Sequence, residues 1–268
     1  MRVIIKKIPY KAGDCFTIVF FGDLHLGLKH IDWNCLQRVL NFIKNNDCWW
    51  IGMGDWAHAI VPHPQEKRFD FEDLDLELLT PDLQYRKVQE LLQPIAKKCI
   101  VLLTGNHDEV LRKRHYHDFV DALAYNLGVT YGGINAFVRL AFYRGNGRSR
   151  HHSRFDLYVH HGYFGGRTKS GKLKRLTDME LLMDADIYAM GHIHEIDWTT
   201  LTQLCVDSRG NIKQRVKYFL ATGSFMKGYP EGPSHLYVEK KMLRPTRLGA
   251  IGLRIWPETR KVEVFEIT

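Results

Sequence analysis

With 268 residues, 45% of them hydrophobic, the chain has apolar material enough for one sizeable α/β domain over 1–268. No run approaches the roughly 18 apolar residues of a membrane span, Met1 to Tyr10 lacks the marks of a signal peptide, and five scattered cysteines without a Cys-x-x-Cys pair exclude a zinc knuckle or redox motif, so a cytoplasmic, membrane-free protein with reduced thiols is expected. The formal charge of +8 is uneven: nine basic residues against one acid between Arg144 and Arg175 match the whole excess, and they point to a polyanionic substrate.

In chain order, the apolar runs Phe16–Phe21, Cys48–Met53, Cys99–Leu103, Phe155–Val159, Asp186–Met190 and Tyr218–Ala221 read as buried strands. Helical periodicity falls between them at Asn34–Lys44, Thr80–Lys97, Asp118–Asn126 and Leu176–Asp184, and the alternation predicts an α/β fold. Glycines at 145–147 and 165–166, with Ser170-Gly171, predict loops around the basic region 144–175. A Pro/Gly-rich segment over 223–257 reads as a loop, and the alternating Lys261–Ile267 after it reads as a closing edge strand.

Five of the runs end in a motif: Gly22-Asp23-Leu24-His25, Gly54-Asp55, Gly105-Asn106-His107-Asp108, His160-His161-Gly162 and Gly191-His192-Ile193-His194. Polar ligands of α/β proteins sit beyond the carboxyl ends of strands, where these motifs lie. Their oxygen and imidazole donors suit Mn²⁺, Fe or Zn²⁺, and none supplies a thiolate. Asp23 and His25, two apart after a strand, can aim at one point, and Asp55 can bridge two cations roughly 3.5 to 4 Å apart. His160 is the first side chain past the run 155–159 and is read as a ligand, with His161 facing the other way. The first metal then has Asp23, His25, Asp55 and His194, and the second Asp55, Asn106, His160 and His192. His107 is the expected proton donor to the leaving oxygen, with Asp108 orienting its imidazole and raising its pKa.

In order and separation the five motifs resemble the calcineurin-like metallophosphoesterase superfamily over residues 22–194. The resemblance implies a four-layer sandwich of two mixed β-sheets flanked by helices, and phosphate-ester hydrolysis with two divalent ions, Mn²⁺ before Fe or Zn²⁺. Asp-Leu-His-Leu-Gly at 23–27, Gly-His-Ile-His at 191–194 and His58, three residues past Asp55, look most like the DNA-repair exonucleases, in which a His at the matching position helps to place the DNA backbone. The length leaves no room for both the capping domain and the helical arm of those nucleases. The sequence also resembles compact phage and bacterial phosphoesterases.

Substrate choice falls to the rim. Arg167, Lys169, Lys172, Lys174 and Arg175 offer phosphate contacts, and Trp56, Tyr163 and Phe164, adjacent to metal motifs, offer faces for stacking on bases. The expected activity is exonucleolytic hydrolysis of single-stranded DNA with phosphomonoesterase activity besides, without an obligate protein partner. The alternatives are a phosphatase or cyclic-nucleotide phosphodiesterase on small molecules or phosphoproteins, and a non-catalytic interaction module, against which the full complement of ligand side chains argues.

Overall fold

Short strands that are apolar on both faces need a cover on each side, and the chain provides two sheets and two sets of helices to do it. The computed structural model describes residues 1–64, 69–144, 152–163, 168–207, 209–231 and 236–268. One sheet contains β2 (Phe16–Phe21), β3 (Cys48–Gly52), β4 (Cys99–Leu103) and β5 (Tyr131–Gly133), mutually parallel, with β11 (Ala250–Trp256) antiparallel to β2 and β12 (Lys261–Ile267) antiparallel to β11. Its order is β12-β11-β2-β3-β4-β5, so Lys261–Ile267 is an edge strand. The other contains β1 (Arg2–Tyr10), β6 (Asn135–Arg144), β7 (His152–His160), β8 (Ile187–Met190), β9 (Ile196–Val206) and β10 (Ile212–Thr222), in the order β1-β6-β7-β8-β10-β9.

The sheets face each other across a core in which Ile18, Phe20, Ile51 and Val101 of the first meet Val138, Leu157, Val159 and Ala189 of the second. Helices α1 (Trp33–Asn45), α2 (Pro81–Leu92) and α4 (Phe119–Leu127) cover the outer face of the first sheet, burying Leu36, Val39, Val88 and Leu123 against Val19, Phe21 and Trp50. Helix α5 (Lys169–Thr177) and the turn after it put Leu176 and Met179 against Phe137, Tyr158, Tyr188 and Phe219 on the far side of the second sheet. The result is a sandwich of four layers, two mixed sheets face to face with helices outside.

Local chemistry explains the helix ends. Asp32 caps α1 by accepting the Cys35 N–H at 2.9 Å, and Thr80 caps α2 ahead of Pro81 at its first position. Pro94 stops α2 from reaching Lys97: the helix ends at Leu92 and a 3₁₀ stretch covers Gln93–Lys98. The periodicity of 176–184 also misleads. The α-helix lies earlier, at 169–177, and Asp178–Leu181 is 3₁₀.

All five cysteines are free, with Cys35 and Cys48 buried but Cys15 and Cys205 exposed. Among the described residues no helix is long and apolar enough to cross a membrane.

Candidate metal centre

The loops beyond β2, β3, β4, β7 and β8 meet at one end of the sandwich, stitched across the two sheets by backbone. Asp23 N–H donates to the Gly54 carbonyl at 2.8 Å, His161 Nδ1 to the Met53 carbonyl at 2.7 Å, and His192 N–H to Asp23 Oδ2 at 2.9 Å. Asp23, His25, Asp55, His192 and His194 all hold left-handed backbone, with φ between +48° and +65°. Such non-glycine positions cost on the order of 1 kcal/mol or more each and persist where surrounding bonds over-determine them, as these do. Glycine is required where the loops touch: a Cβ on Gly105 would stand 1.9 Å from Asp55 Oδ1 and 2.2 Å from Asp55 N.

Three groups of ligand atoms result among the described residues, one of them His25, His58 and His107, and the other two share Asp55. Asp23, His25, Asp55 and His194 form the first, with His194 Nε2 3.2 Å from Asp23 Oδ1, His25 Nε2 3.7 Å from Asp55 Oδ2, and the two Nε2 atoms 3.1 Å apart. Asp55, His161 and His192 form the second, and Asn106 joins them, its Oδ1 3.0 Å from His161 Nε2. Asp55 belongs to both. Its Oδ1 accepts the His107 N–H at 2.8 Å, whereas Oδ2 is buried and accepts no hydrogen bond. Asp23 Oδ1 is orphaned in the same way, and so is His192 Nδ1.

His160, expected as a ligand, is not in any group. It is the last residue of β7, and its Nδ1 accepts the Gly162 N–H at 2.8 Å. Side chains alternate along the strand: Leu157 and Val159 face the other sheet, Tyr158 faces the α5 side, and His160 follows Tyr158, its ring 6.3 Å away. His161 therefore turns inward. It is fully buried and lies 3.4 Å from Asp55 Oδ2.

Asp108 does not hold the His107 imidazole. Asn106 opens helix α3 (Asn106–His115), and Asp108 reaches back one turn to accept the Gly105 N–H at 2.8 Å while its other oxygen accepts the Tyr85 hydroxyl at 2.6 Å. The ring of His107 is oriented instead by the His58 carbonyl, 2.8 Å from Nδ1. A carbonyl can only accept, so Nδ1 carries a hydrogen.

Burial holds the His25 imidazole well below its usual range, and brings His192 and the outlying His160 down to about 4. For the buried pair, loss of solvent opposes both charges, yet Asp55 at 3.4 Å overrides it and pushes His161 up to about 10, while His161 and His107 hold the Asp55 carboxyl well below the carboxylate range. Burial and the Asp55 charge together raise Asp108 to about 7.

At the rim, Trp56 is buried, its Nε1–H donating to the Leu103 carbonyl at 2.9 Å, so it is core and offers no stacking face. Tyr163 is 73% exposed. His58 is buried next to His107, ring centres 5.2 Å apart. Lys169, Lys172 and Lys174 form ion pairs with Asp197, Glu195 and Asp178 at 3.2, 2.9 and 3.0 Å, and Arg175 is exposed. Phe164 and Arg167, with Arg148, Arg150 and the glycines at 145–147 and 165–166, lie outside the described residues.

The sequence profile of the calcineurin-like phosphoesterases matches residues 16–196, every motif of the site included. The chain belongs to that family. As a calcineurin-like phosphoesterase it is a metal-dependent hydrolase of phosphate esters. No curated protein sequence gives a significant match. Similar solved structures include the zinc complex of Vps29 from Entamoeba histolytica (12% identity, 94% of this chain and 100% of that one, TM-score 0.40). A metallophosphoesterase from Sphaerobacter thermophilus (13%, 94% and 89%, 0.38) and a hypothetical protein from Pyrococcus horikoshii (10%, 94% and 88%, 0.42) are similar too.

The donor set of this phosphoesterase fits two divalent ions. Buried carboxylate oxygens without hydrogen bonds, ringed by imidazole nitrogens, are the arrangement expected of atoms that share a cation rather than a proton. Because the fit depends on loops in van der Waals contact, Gly105→Ala is expected to lower stability by about 3 kcal/mol or more, about 6–12 °C in Tm for a chain of this size. Thermal melts in chelator check this, and an unchanged Tm would contradict the Gly105–Asp55 packing.

Proposed function

We propose that the protein is a nuclease that removes nucleotides from the ends of single-stranded DNA, in the cytoplasm and without an obligate protein partner, and that the same open site also cleaves phosphomonoesters. The observation that carries the chemistry is the pair of orphaned oxygens, Asp23 Oδ1 and Asp55 Oδ2, each facing imidazole nitrogens. Bound there, two divalent cations, Mn²⁺ before Fe or Zn²⁺, would supply charge neutralisation for a phosphoryl group and an acidified water.

The chain's own residues do the rest. Asp23, His25 and His194 hold one position, Asn106, His161 and His192 the other, and Asp55 ties the two together. Asn106 contributes an oxygen without adding negative charge beside a phosphate. His107 has its Nδ1–H committed to the His58 carbonyl, so it acts as the imidazolium, gives the leaving oxygen the proton on Nε2 and is left as the neutral Nδ1–H tautomer, a role typically worth about 10² to 10⁴-fold. His58, packed beside it, would contact a phosphate oxygen of the bound substrate.

Charge favours nucleic acid as substrate. The segment 144–175 carries as much positive charge as the whole chain has in excess, and Tyr163, one residue beyond Gly162, exposes a ring on which a base can stack. The ion pairs of Lys169, Lys172 and Lys174 favour a second reading, a phosphatase or phosphodiesterase of small molecules or phosphoproteins, because lysines so engaged are less available to a polyanion.

Mn²⁺-supplemented hydrolysis of end-labelled single-stranded and duplex DNA, alongside p-nitrophenyl phosphate, separates the two. Labelled mononucleotides are expected. Phosphate released from p-nitrophenyl phosphate with the DNA chain intact would overturn the nuclease and leave the phosphatase.

A further inference from the structure

Helix α2 is mostly polar and lies against the outer face of its sheet, yet Gln84 in its first turn is 1% exposed. A buried primary amide needs both an acceptor and a donor, and Gln84 finds them in backbone. Its Nε2 donates to the Leu78 carbonyl at 2.9 Å, and its Oε1 accepts the Ala59 N–H at 2.9 Å. The amide also fills the space a side chain on Gly27 would take: a Cβ there would stand 2.3 Å from Gln84 Nε2. Gln84 is thus wedged beneath two site loops, the one that continues from His25 and the one that continues from Asp55. Those loops are themselves joined by His58 N–H to the Leu26 carbonyl at 2.8 Å.

The Ala59 N–H and the His58 carbonyl belong to one planar peptide unit. One end of that plane donates to Gln84, and the other accepts from His107 Nδ1 at 2.8 Å. Ala59 is fully buried with φ +55°, a conformation alanine does not keep unaided. Rotation of this peptide would carry the carbonyl away from His107, and the Gln84 amide is what opposes that rotation.

We propose that Gln84 is a positioning residue for His107, acting through the peptide plane between His58 and Ala59. The inference rests on the proposed role of His107 as proton donor to the leaving oxygen. Gln84 touches no substrate. It holds the carbonyl that fixes the imidazole in one tautomer and one orientation, as partners of catalytic and ligating histidines generally do.

The test is Gln84→Met, which keeps the shape and removes both hydrogen bonds, assayed on two monoesters in the Mn²⁺-loaded enzyme. p-Nitrophenyl phosphate has a leaving group that needs no proton, whereas phenyl phosphate has one that does. The variant is expected to lose about 10-fold or more in kcat on phenyl phosphate and less than about 2-fold on p-nitrophenyl phosphate, with metal content unchanged. In a His107→Ala background it is expected to cost nothing further, since the group it positions is gone. Equal losses on both esters, or the same loss with and without His107, would overturn the proposal and make Gln84 a structural residue only.

Nitrogen-15 NMR of the wild-type chain tests the geometry without activity or a variant. A slowly exchanging Nδ1–H is expected for His107, and its absence would overturn the proposal even if Gln84→Met fails to fold. A wild-type enzyme that hydrolyses neither ester would instead count against the proposed function, and faster exchange of the His107 Nδ1–H in Gln84→Met than in wild type would still support the Gln84 link, whereas unchanged exchange would overturn it.

Discussion

Asp55→Asn is expected to abolish hydrolysis while leaving the fold intact, because the two carboxylate oxygens of Asp55 do different work. Oδ1 accepts the His107 N–H at 2.8 Å and fastens the start of α3 to the β3 loop, and an asparagine carbonyl can do the same. Oδ2 accepts no hydrogen bond, lies 3.4 Å from His161 Nε2 and 3.7 Å from His25 Nε2, and is common to two of the groups of ligand atoms. An amide nitrogen placed there turns an anionic donor of electron pairs into a neutral donor of protons. Metal-ion charge stabilisation is worth several kcal/mol, so the activity should fall by about 10³-fold or more. In chelator the variant should melt close to wild type, since the amide can pair with a neutral His161. Added Mn²⁺ should raise the wild-type Tm, because an ion bound only to the folded state stabilises it, and leave the variant nearly unmoved. Full activity, or an equal rise in Tm on Mn²⁺, would remove Asp55 from the metal site.

The fold and the ligand chemistry were legible in the sequence to different depths. Six strands announced themselves because the runs read for them are buried on both faces and so appear as unbroken apolar stretches, each followed by a glycine and a polar residue. Of the other strands only the edge strand β12 was legible, by its alternation, and β11 was missed because it lies inside the Pro/Gly-rich segment read as a loop. β9 is almost wholly exposed past Ile196 and reads as a threonine-rich loop, and β1 has Val3 and Ile5 pointing to solvent between charged residues. Helix α3 was hidden for a related reason: after the motif it continues Glu-Val-Leu-Arg-Lys-Arg-His, with only Val110 and Leu111 to mark a buried side.

Charge was read correctly as composition and incompletely as surface. Nothing local in 169–175 shows that Lys169 and Lys172 meet Asp197 and Glu195, which arrive from the far side of β8. Asp108 shows the same limit. Adjacent to His107 in sequence, it points into the protein instead, because the first turn of a helix directs its third residue back to the cap and because Tyr85 of α2 waits there. The partner that orients His107, a carbonyl 49 residues away, has no side-chain signature at all.

The neighbouring histidines of the fourth motif give the sharpest contrast between sequence and structure, and they can be separated by experiment. Counting His160 as the first side chain beyond the strand neglected which face of β7 looks toward the site. The run itself carries the answer: Phe155, Leu157 and Val159 fill the core between the sheets, so the same face is presented again at 161 and not at 160. His161 Nδ1–H is held by the Met53 carbonyl at 2.7 Å, which fixes the tautomer that turns Nε2 toward Asn106 and Asp55. His161→Ala is therefore expected to cost at least about 10²-fold in kcat/KM, since even partners that only orient a ligating histidine are worth about 10 to 100-fold. Its metal content should fall from two ions toward one. His160→Ala removes only an acceptor for the Gly162 N–H and should stay within about 10-fold of wild type, with both ions retained. The reverse pattern, with His160→Ala the inactive variant, would mean that the loop beyond β7 rearranges when metal binds. In that case His160 would be the ligand.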